Sequence, residues 1–390
     1  MARRIGIAVI GFGWMGQAHS RGYLRTRTLF NDVPYDTDLV VCADDAPGRR
    51  EHASRAFGFR DTTADWREAI DRSDVDVVSI CAPNMFHEEI ATAAASLGKS
   101  IFCEKPVGGT PEQTVRAERA ARRAGVITGV GYNYRWAPLI LYTKELIERG
   151  ELGEITNYRG IFFSMYGSDP LGLLSWRFLQ DQAGYGASSD ILSHTIDLAH
   201  HLIGPITRIV GTTETFIKER PLPKPGVGTH YDRGLPSDPT GTVTNEDYVG
   251  AMAIFANRTR GAFEASRSII GPESRNAFDV HGTKGAVHWN LERMNEVELY
   301  LSDGKARGYQ TVYAGDTIPY HSAFVAGTGN SIAFEDLVTI EDHEFLRAVA
   351  EERAFTPGFA EAVDYVSVQA ALMRSNASGC WEDVVSLRED

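Results

Sequence analysis

Between residues 5 and 130, short unbroken apolar runs take turns with longer stretches of helical spacing. Ile5–Ile10, Asp38–Ala43 (DLVVCA), Val75–Ala82 (VDVVSICA), Ser100–Cys103 and Val126–Val130 predict strands. Gln17–Thr26, Arg49–Phe57, Glu88–Leu97 and Pro111–Ala124, the last opened by the cap Thr110, predict helices. A strand that is apolar at every position is buried on both faces, which is the mark of a parallel sheet. Strands separated by helices need crossover connections. Residues 1–131 are therefore expected to form a Rossmann-type, doubly wound α/β domain.

After about residue 131 the rhythm becomes alternating. EITNYRGIFFSMY, ITRIVGTTETFI, DYVGAMAIFA, GAFEASRSII, NAFDVHG, GAVHWN, EVELYLS and GYQTVYA all read as strands with one buried face. They predict, over residues 132–339, a second α+β domain with a large, mostly antiparallel, open-faced sheet. HGTKGAVH reads as a hairpin across Gly282–Gly285. Residues 219–246, rich in Pro, Gly and charge, read as a long loop, either a lid or an oligomer arm. His343–Ala350 and Phe359–Met373 read as helices.

Composition narrows the partners. The chain has 390 residues, 43% hydrophobic and 23% charged, with a formal net charge of -13. That charge argues against a nucleic acid and for a small-molecule ligand. Cys42, Cys81 and Cys103 sit in apolar runs and, with Cys380, form no CxxC pair, so reduced thiols and a cytoplasmic location are expected. Arg3-Arg4 before IGIAVI imitates a leader, but the apolar stretch breaks at Gly11. No apolar run is long enough to span a membrane.

The three glycines of GFGWMG (11–16) lie where the first strand gives way to the first helix. Strand, G-x-G-x-x-G, helix is the arrangement that sets backbone amides against a pyrophosphate. Gly11 makes the turn, Gly13 admits the phosphates and Gly16 lets helix pack on strand. Phe12, Trp14 and Met15 fall within the same contact. Asp44, directly after the second strand, is placed to accept the adenosine ribose hydroxyls and to repel a 2′-phosphate, so NAD is favoured. Arg49 and Arg50 leave NADP open.

Two further strand ends carry polar residues. Ala82-Pro83-Asn84-Met85-Phe86-His87 and Glu104-Lys105-Pro106 follow the third and fourth strands, at the edge where such sheets bind ligands. Ala82, Pro83, Asn84, His87, Glu104 and Lys105 are thus expected beside the cofactor. In Asp190-Ile-Leu-Ser-His194, helical spacing puts Asp190 and His194 on one face, with Asp197 and His201 continuing the stripe. Taken alone, His194 reads equally as a helix brace or as a proton-transfer group. A zinc site of His194, His200 and His201 lacks a third-ligand spacing, and no metal is expected.

GFGWMG, APNMFH, CEKP, GYNYR (131–135) and DILSHTIDLAHHLIG (190–204) together resemble the Gfo/Idh/MocA oxidoreductases, the family of glucose-fructose oxidoreductase and inositol dehydrogenase. LSWRF (174–178) and KERPLP (218–223) bring the chain nearest to its sugar and cyclitol dehydrogenases. The resemblance implies oxidation of a secondary hydroxyl of a sugar, anhydrosugar or cyclitol, with hydride passing to NAD(P). It maps the family's lysine, aspartate and histidine onto Lys105, Asp190 and His194. A neutral imidazole suits a general base near neutral pH, which fits His194. Lys105 would stabilise developing alkoxide charge, and Asp190 would position either partner or bind a neighbouring hydroxyl. Asn133, Arg135, Trp176 and Arg177 are candidates for holding a polyol substrate.

The resemblance further implies a homodimer or homotetramer and a C-terminal segment, about 340–390, that packs on the nucleotide domain. Tyr185 in AGYGASSD, Leu192 in DILSH and Cys81 depart from the family pattern. An NAD-assisted glycosidase and a nucleotide-sensing regulator on the same scaffold remain competing readings.

Overall fold

Ile5, Ile7 and Val9 turn to one side of the first strand and Ala8 and Ile10 to the other, and both sides are buried in separate apolar clusters. That two-sided burial builds the six-stranded parallel sheet of the computed structural model. The model describes residues 2–388 apart from 32, 225–228, 230, 305, 306, 325, 326 and 328. The sheet comprises β1 (Arg3–Ile10), β2 (Tyr35–Ala43), β3 (Asp61–Thr63), β4 (Val77–Ile80), β5 (Ser100–Cys103) and β6 (Thr128–Val130). Their order is β3-β2-β1-β4-β5-β6, so the chain reverses direction across the sheet between β1 and β4. The open crevice at such a reversal is where doubly wound sheets take their ligands.

Helices cover both faces. Helix α1 (Trp14–Leu29) and the helix Phe334–Ala350 lie on the Ile7 side, where Tyr23, Phe345 and Leu346 are fully buried. His87–Ser96 and Pro111–Ala124 cover the Ile10 side through Ile90, Ala94, Ala117 and Ala121. Thr110 and Gln113 close the predicted cap as a reciprocal capping box.

The chain divides into two units. One holds residues 1–136 with Tyr320–Val363 and Arg388–Asp390, the other Ala137–Pro319 with Asp364–Leu387. The C-terminal segment is thus shared: 320–363 belong with the parallel sheet and 364–387 with the second unit.

The second unit is built on nine strands: β7 (Ile155–Ser164), β8 (Ile206–Glu214), β11 (Tyr248–Phe255), β12 (Arg260–Ser266), β13 (Ser274–Gly282), β14 (Gly285–Asn290), β15 (Glu296–Leu301), β16 (Gln310–Tyr313) and β17 (Glu382–Asp383). The order is β16-β15-β14-β13-β7-β12-β11-β8-β17, antiparallel except where β7 runs parallel to β12. β13 and β14 form the hairpin expected at Gly282–Gly285. Within 219–246 the structure adds a two-stranded pair, β9 (Glu219–Pro221) with β10 (Thr240–Thr242). ERP and TGT are too short and polar to announce themselves as strands. Residues 225–228 and 230 of that loop lie outside the described residues.

The described part of the loop is anchored by Arg220. It donates to the carbonyls of Gly167 and Asp169 and lies over the Phe178 ring, 4.0 Å from its centroid. All four cysteines are free. Among the described residues, no helix is long and apolar enough to cross a membrane, and no group of His, Cys, Asp or Glu is placed to hold a metal ion.

Candidate functional site

In the parallel-sheet unit, the three glycines do different physical work. Gly11 has φ of 89°, a backbone state that side chains resist. A Cβ on Gly16 would lie 2.0 Å from the Gly11 carbonyl oxygen, so helix and turn touch there. A Cβ on Gly13 would meet nothing within 4 Å. The space at Gly13 is therefore a cradle open to a ligand, not a packing requirement. Helix α1 begins there with no side-chain cap and no acid in its first turn, which leaves its positive end for an anion. These features fit a dinucleotide pyrophosphate. Trp14 is exposed and stacks on Phe334 at 5.3 Å between centroids; Met15 is half-buried.

Asp44 sits at the end of β2 as expected, but much of its carboxylate is engaged. Oδ2 accepts the Phe12 N–H at 2.7 Å, Oδ1 accepts the Ala46 N–H at 2.9 Å, and Arg49 Nη1 lies 3.5 Å away. It stitches the glycine turn to the second strand. The Phe12 N–H is therefore spent inside the protein, and its ring packs edge-on against Phe57 and Phe59.

Ala82, Pro83 and Asn84 are half-buried at the end of β4. His87 is braced from within the protein. Its Nδ1 lies 2.7 Å from the Pro106 carbonyl and its Nε2 2.6 Å from that of Ala82. Burial lowers its pKa against the pull of these two carbonyls, and both ring nitrogens are turned to the strand ends.

Glu104 is buried at the end of β5. Its Oε2 accepts the Lys105 N–H at 3.2 Å, and its Oε1 faces His19 Nε2 at 3.1 Å. On the other side of that ring, Nδ1 lies 2.8 Å from Asp342 Oδ1. Sequence reasoning missed His19 and Asp342, because they stand 323 positions apart and only the packing of two helices brings them together. Lys105 itself is half-buried. Asn133 and Arg135, on the short 3-10 turn after β6, are buried, and Asn133 Nδ2 has no hydrogen-bond partner among the described residues. An orphaned buried donor of that kind is the group a substrate hydroxyl would satisfy.

In the second unit, Asp190 and His194 do not share one α-helical turn. Asp190 lies in a π-helical turn, Ser188–Leu192, that runs into the α-helix Ser193–Leu202 carrying His194. The wider turn loosens the four-residue alignment that regular helical spacing predicts. Gln369 Nε2 holds the turn at both the Ser188 and Ser189 hydroxyls, 3.1 and 2.9 Å away, and the Tyr365 hydroxyl donates to the Ser188 carbonyl.

The Asp190 carboxylate is clamped from two sides. The Tyr166 hydroxyl donates to Oδ2 at 2.6 Å, and Arg177 Nη1 approaches Oδ1 at 3.4 Å. Arg177 in turn stacks over Trp176, 4.6 Å from the ring centroid. Burial pushes the Tyr166 phenol well above its ordinary pKa, so it stays a donor. Nothing in the strand pattern of FFSMYG marked Tyr166. His194 is 5% exposed, and its ring packs near Phe162, 6.1 Å between centroids. Ile191, Leu198 and Leu202 are buried, as their helix face predicts.

Comparison with known proteins follows the same division. Residues 5–132 match the model of an oxidoreductase family with an NAD-binding Rossmann fold, and 140–288 match the GFO/IDH/MocA C-terminal domain. The chain is 35% identical over 384 residues to levoglucosan dehydrogenase of Pseudarthrobacter phenanthrenivorans, covering 98% of each. It is 30% identical to scyllo-inositol 2-dehydrogenase (NAD(+)) of Bacillus subtilis, covering 78% of this chain and 80% of that one. A solved levoglucosan dehydrogenase in complex with NADH and levoglucosan superposes with a TM-score of 0.92 at 35% identity, covering 98% of this chain and all of the other. The glycine cradle, the strand-end EKP and the clamped aspartate thus sit in a chain that belongs to the GFO/IDH/MocA oxidoreductases, with an NAD-binding Rossmann fold at its N-terminal end.

Proposed function

We propose that the protein is an NAD-dependent dehydrogenase that oxidises a secondary hydroxyl of a sugar, anhydrosugar or cyclitol, with Lys105, Asp190 and His194 as its catalytic residues. The dehydrogenase names of its relatives support the reaction class. The observation that carries the site is the clamp on Asp190 by Tyr166 and Arg177, four residues from His194. A carboxylate held by a neutral donor and a guanidinium is fixed in direction, which is what presenting an acceptor to a substrate hydroxyl needs.

NAD, when bound, supplies the hydride acceptor. His194 takes the proton that the hydroxyl must lose. The Lys105 ammonium faces the charge developing on that oxygen, and Asp190 accepts from a neighbouring hydroxyl. Asn133 Nδ2 donates to a ring hydroxyl; Arg135 and the Trp176–Arg177 stack complete the polyol contacts. The parallel-sheet unit serves as the cofactor domain and the second unit as the substrate and oligomerisation domain. The protein works in the cytoplasm as a homodimer or homotetramer.

The test is oxidation of cyclitols, aldoses and anhydrosugars by wild type, His194→Ala and Lys105→Met, followed by NADH absorbance. Each variant should lose at least about a hundredfold in kcat/KM while its NAD affinity stays near wild type. Retained activity in either removes that residue from its role. Sugar release without NADH would identify a glycosidase, and NAD binding without turnover of any polyol a regulator.

A further inference from the structure

We propose that His19 is a positioning residue for the reaction: with Asp342 behind it, it pins Glu104 and so fixes the backbone that carries Lys105. The proposal rests on the reading of Lys105 as catalytic.

Both nitrogens of the His19 ring face carboxylates, Asp342 Oδ1 at 2.8 Å and Glu104 Oε1 at 3.1 Å. Carboxylates only accept, so the ring serves both partners fully as an imidazolium, the form with two N–H donors. The side chains of His19 and Asp342 are wholly buried, and that of Glu104 nearly so. Burial alone would depress the His19 pKa, but the charge of Asp342 and the bonds to both acids carry it well above the usual value. Burial alone would raise Glu104, and the His19 bond and charge instead hold it below the usual carboxylate range. Burial pushes Asp342 up to about 6 against the pull of His19.

The ionisable groups facing this chain are few. Cys81 comes from the end of β4, Tyr23 lies one turn along α1, Glu341 adjoins Asp342, and Lys105 follows Glu104. The far end of the relay is the Lys105 N–H on Glu104 Oε2. Room for that carboxylate is left by Gly131, where a Cβ would lie 2.8 Å from Glu104 Oε1. Three elements distant in sequence therefore converge on the one backbone amide that precedes the Lys105 side chain. A purely apolar contact would pack the same space without three buried charges.

Without the imidazolium, Glu104 is a buried acid facing no cation but Lys105. Its pKa rises, it takes up a proton more readily as pH falls, and its hold on the Lys105 amide weakens.

The experiment compares wild type, His19→Gln, Asp342→Asn and Lys105→Met for kcat and KM between pH 5 and 9. NAD affinity is read by tryptophan fluorescence, and cooperative melting shows that each variant is folded. His19→Gln should lower kcat at least about tenfold at pH 8, with NAD affinity within about threefold of wild type. Its kcat should fall more steeply than that of wild type as pH drops from about 7 to 5, adding to the acid limb that protonation of the His194 base gives both enzymes. Asp342→Asn should move both readouts the same way, by less. A folded His19→Gln with wild-type kcat and pH profile, or with a loss equal at every pH, overturns the proposal. If His19→Gln does not fold, a folded Asp342→Asn with a wild-type profile overturns it. Lys105→Met at wild-type rate removes the reading beneath it, whereas an inactive Lys105→Met beside an unchanged His19→Gln removes this proposal alone.

Discussion

The hydroxyl of Tyr166 donates to the carboxylate of Asp190 at 2.6 Å, and Arg177 approaches the other oxygen of the same group. Tyr166 follows β7, whereas Asp190 belongs to a π-turn, so the bond ties the sheet to the helix that carries His194. Tyr166→Phe removes one oxygen atom and keeps the ring. It should lower kcat/KM for the polyol about tenfold, with NAD affinity unchanged and the melting temperature shifted by only a few degrees. Steady-state kinetics beside NAD titration checks it, and an unchanged kcat/KM would show that Arg177 alone orients Asp190.

Gly13 and Gly16 separate binding from folding. Gly13→Ala places its methyl group in open space, so the variant should melt like wild type and lose at least about tenfold in NAD affinity. Gly16→Ala drives a methyl group against the Gly11 carbonyl and should cost stability, on the order of 1–3 kcal/mol. Calorimetric melting and NAD titration on both variants distinguish the two effects. Equal losses of affinity and stability in Gly13→Ala would contradict the open cradle.

His343 gives an acid-side stability prediction. It stacks on Phe30 at 3.8 Å between centroids, and the Tyr35 hydroxyl meets its Nδ1 at 2.8 Å. Burial pushes its pKa down to about 4 from the ordinary 6.5. The folded state then binds fewer protons than the unfolded one between those values, so stability rises with pH through that window and is lost as pH falls from 6.5 to 4. The full effect is about 3 kcal/mol. His343→Gln should flatten this part of the dependence. Urea unfolding at pH 4.5 and 7 measures it, and an unchanged slope would assign the acid sensitivity elsewhere.

Much of the first unit could be read in advance because its signals are local. Five apolar runs, a glycine motif and a reciprocal cap each lie within a few residues of the element they define. β3 escaped because DTT is a short polar edge strand. Of the proposed catalytic residues, Lys105, Asp190 and His194 each stood out through its motif. Their supports did not. His19, Tyr166, Asp342 and Gln369 acquire meaning only from partners tens to hundreds of positions away, and no spacing rule reaches that far. Phe12 likewise depends on Asp44, 32 positions on, and His87 is braced by the carbonyls of Ala82 and Pro106.

β7 has as its two neighbours β12 and β13, both made roughly a hundred residues later. During synthesis, the strand at the middle of the large sheet therefore emerges with both edges bare and waits for its partners to be translated. Two exposed edges on an apolar strand invite intermolecular pairing. The burden of keeping nascent chains apart thus falls on the interval between Ser164 and Gly282, and slowing translation there should raise the insoluble fraction more than slowing it after residue 300.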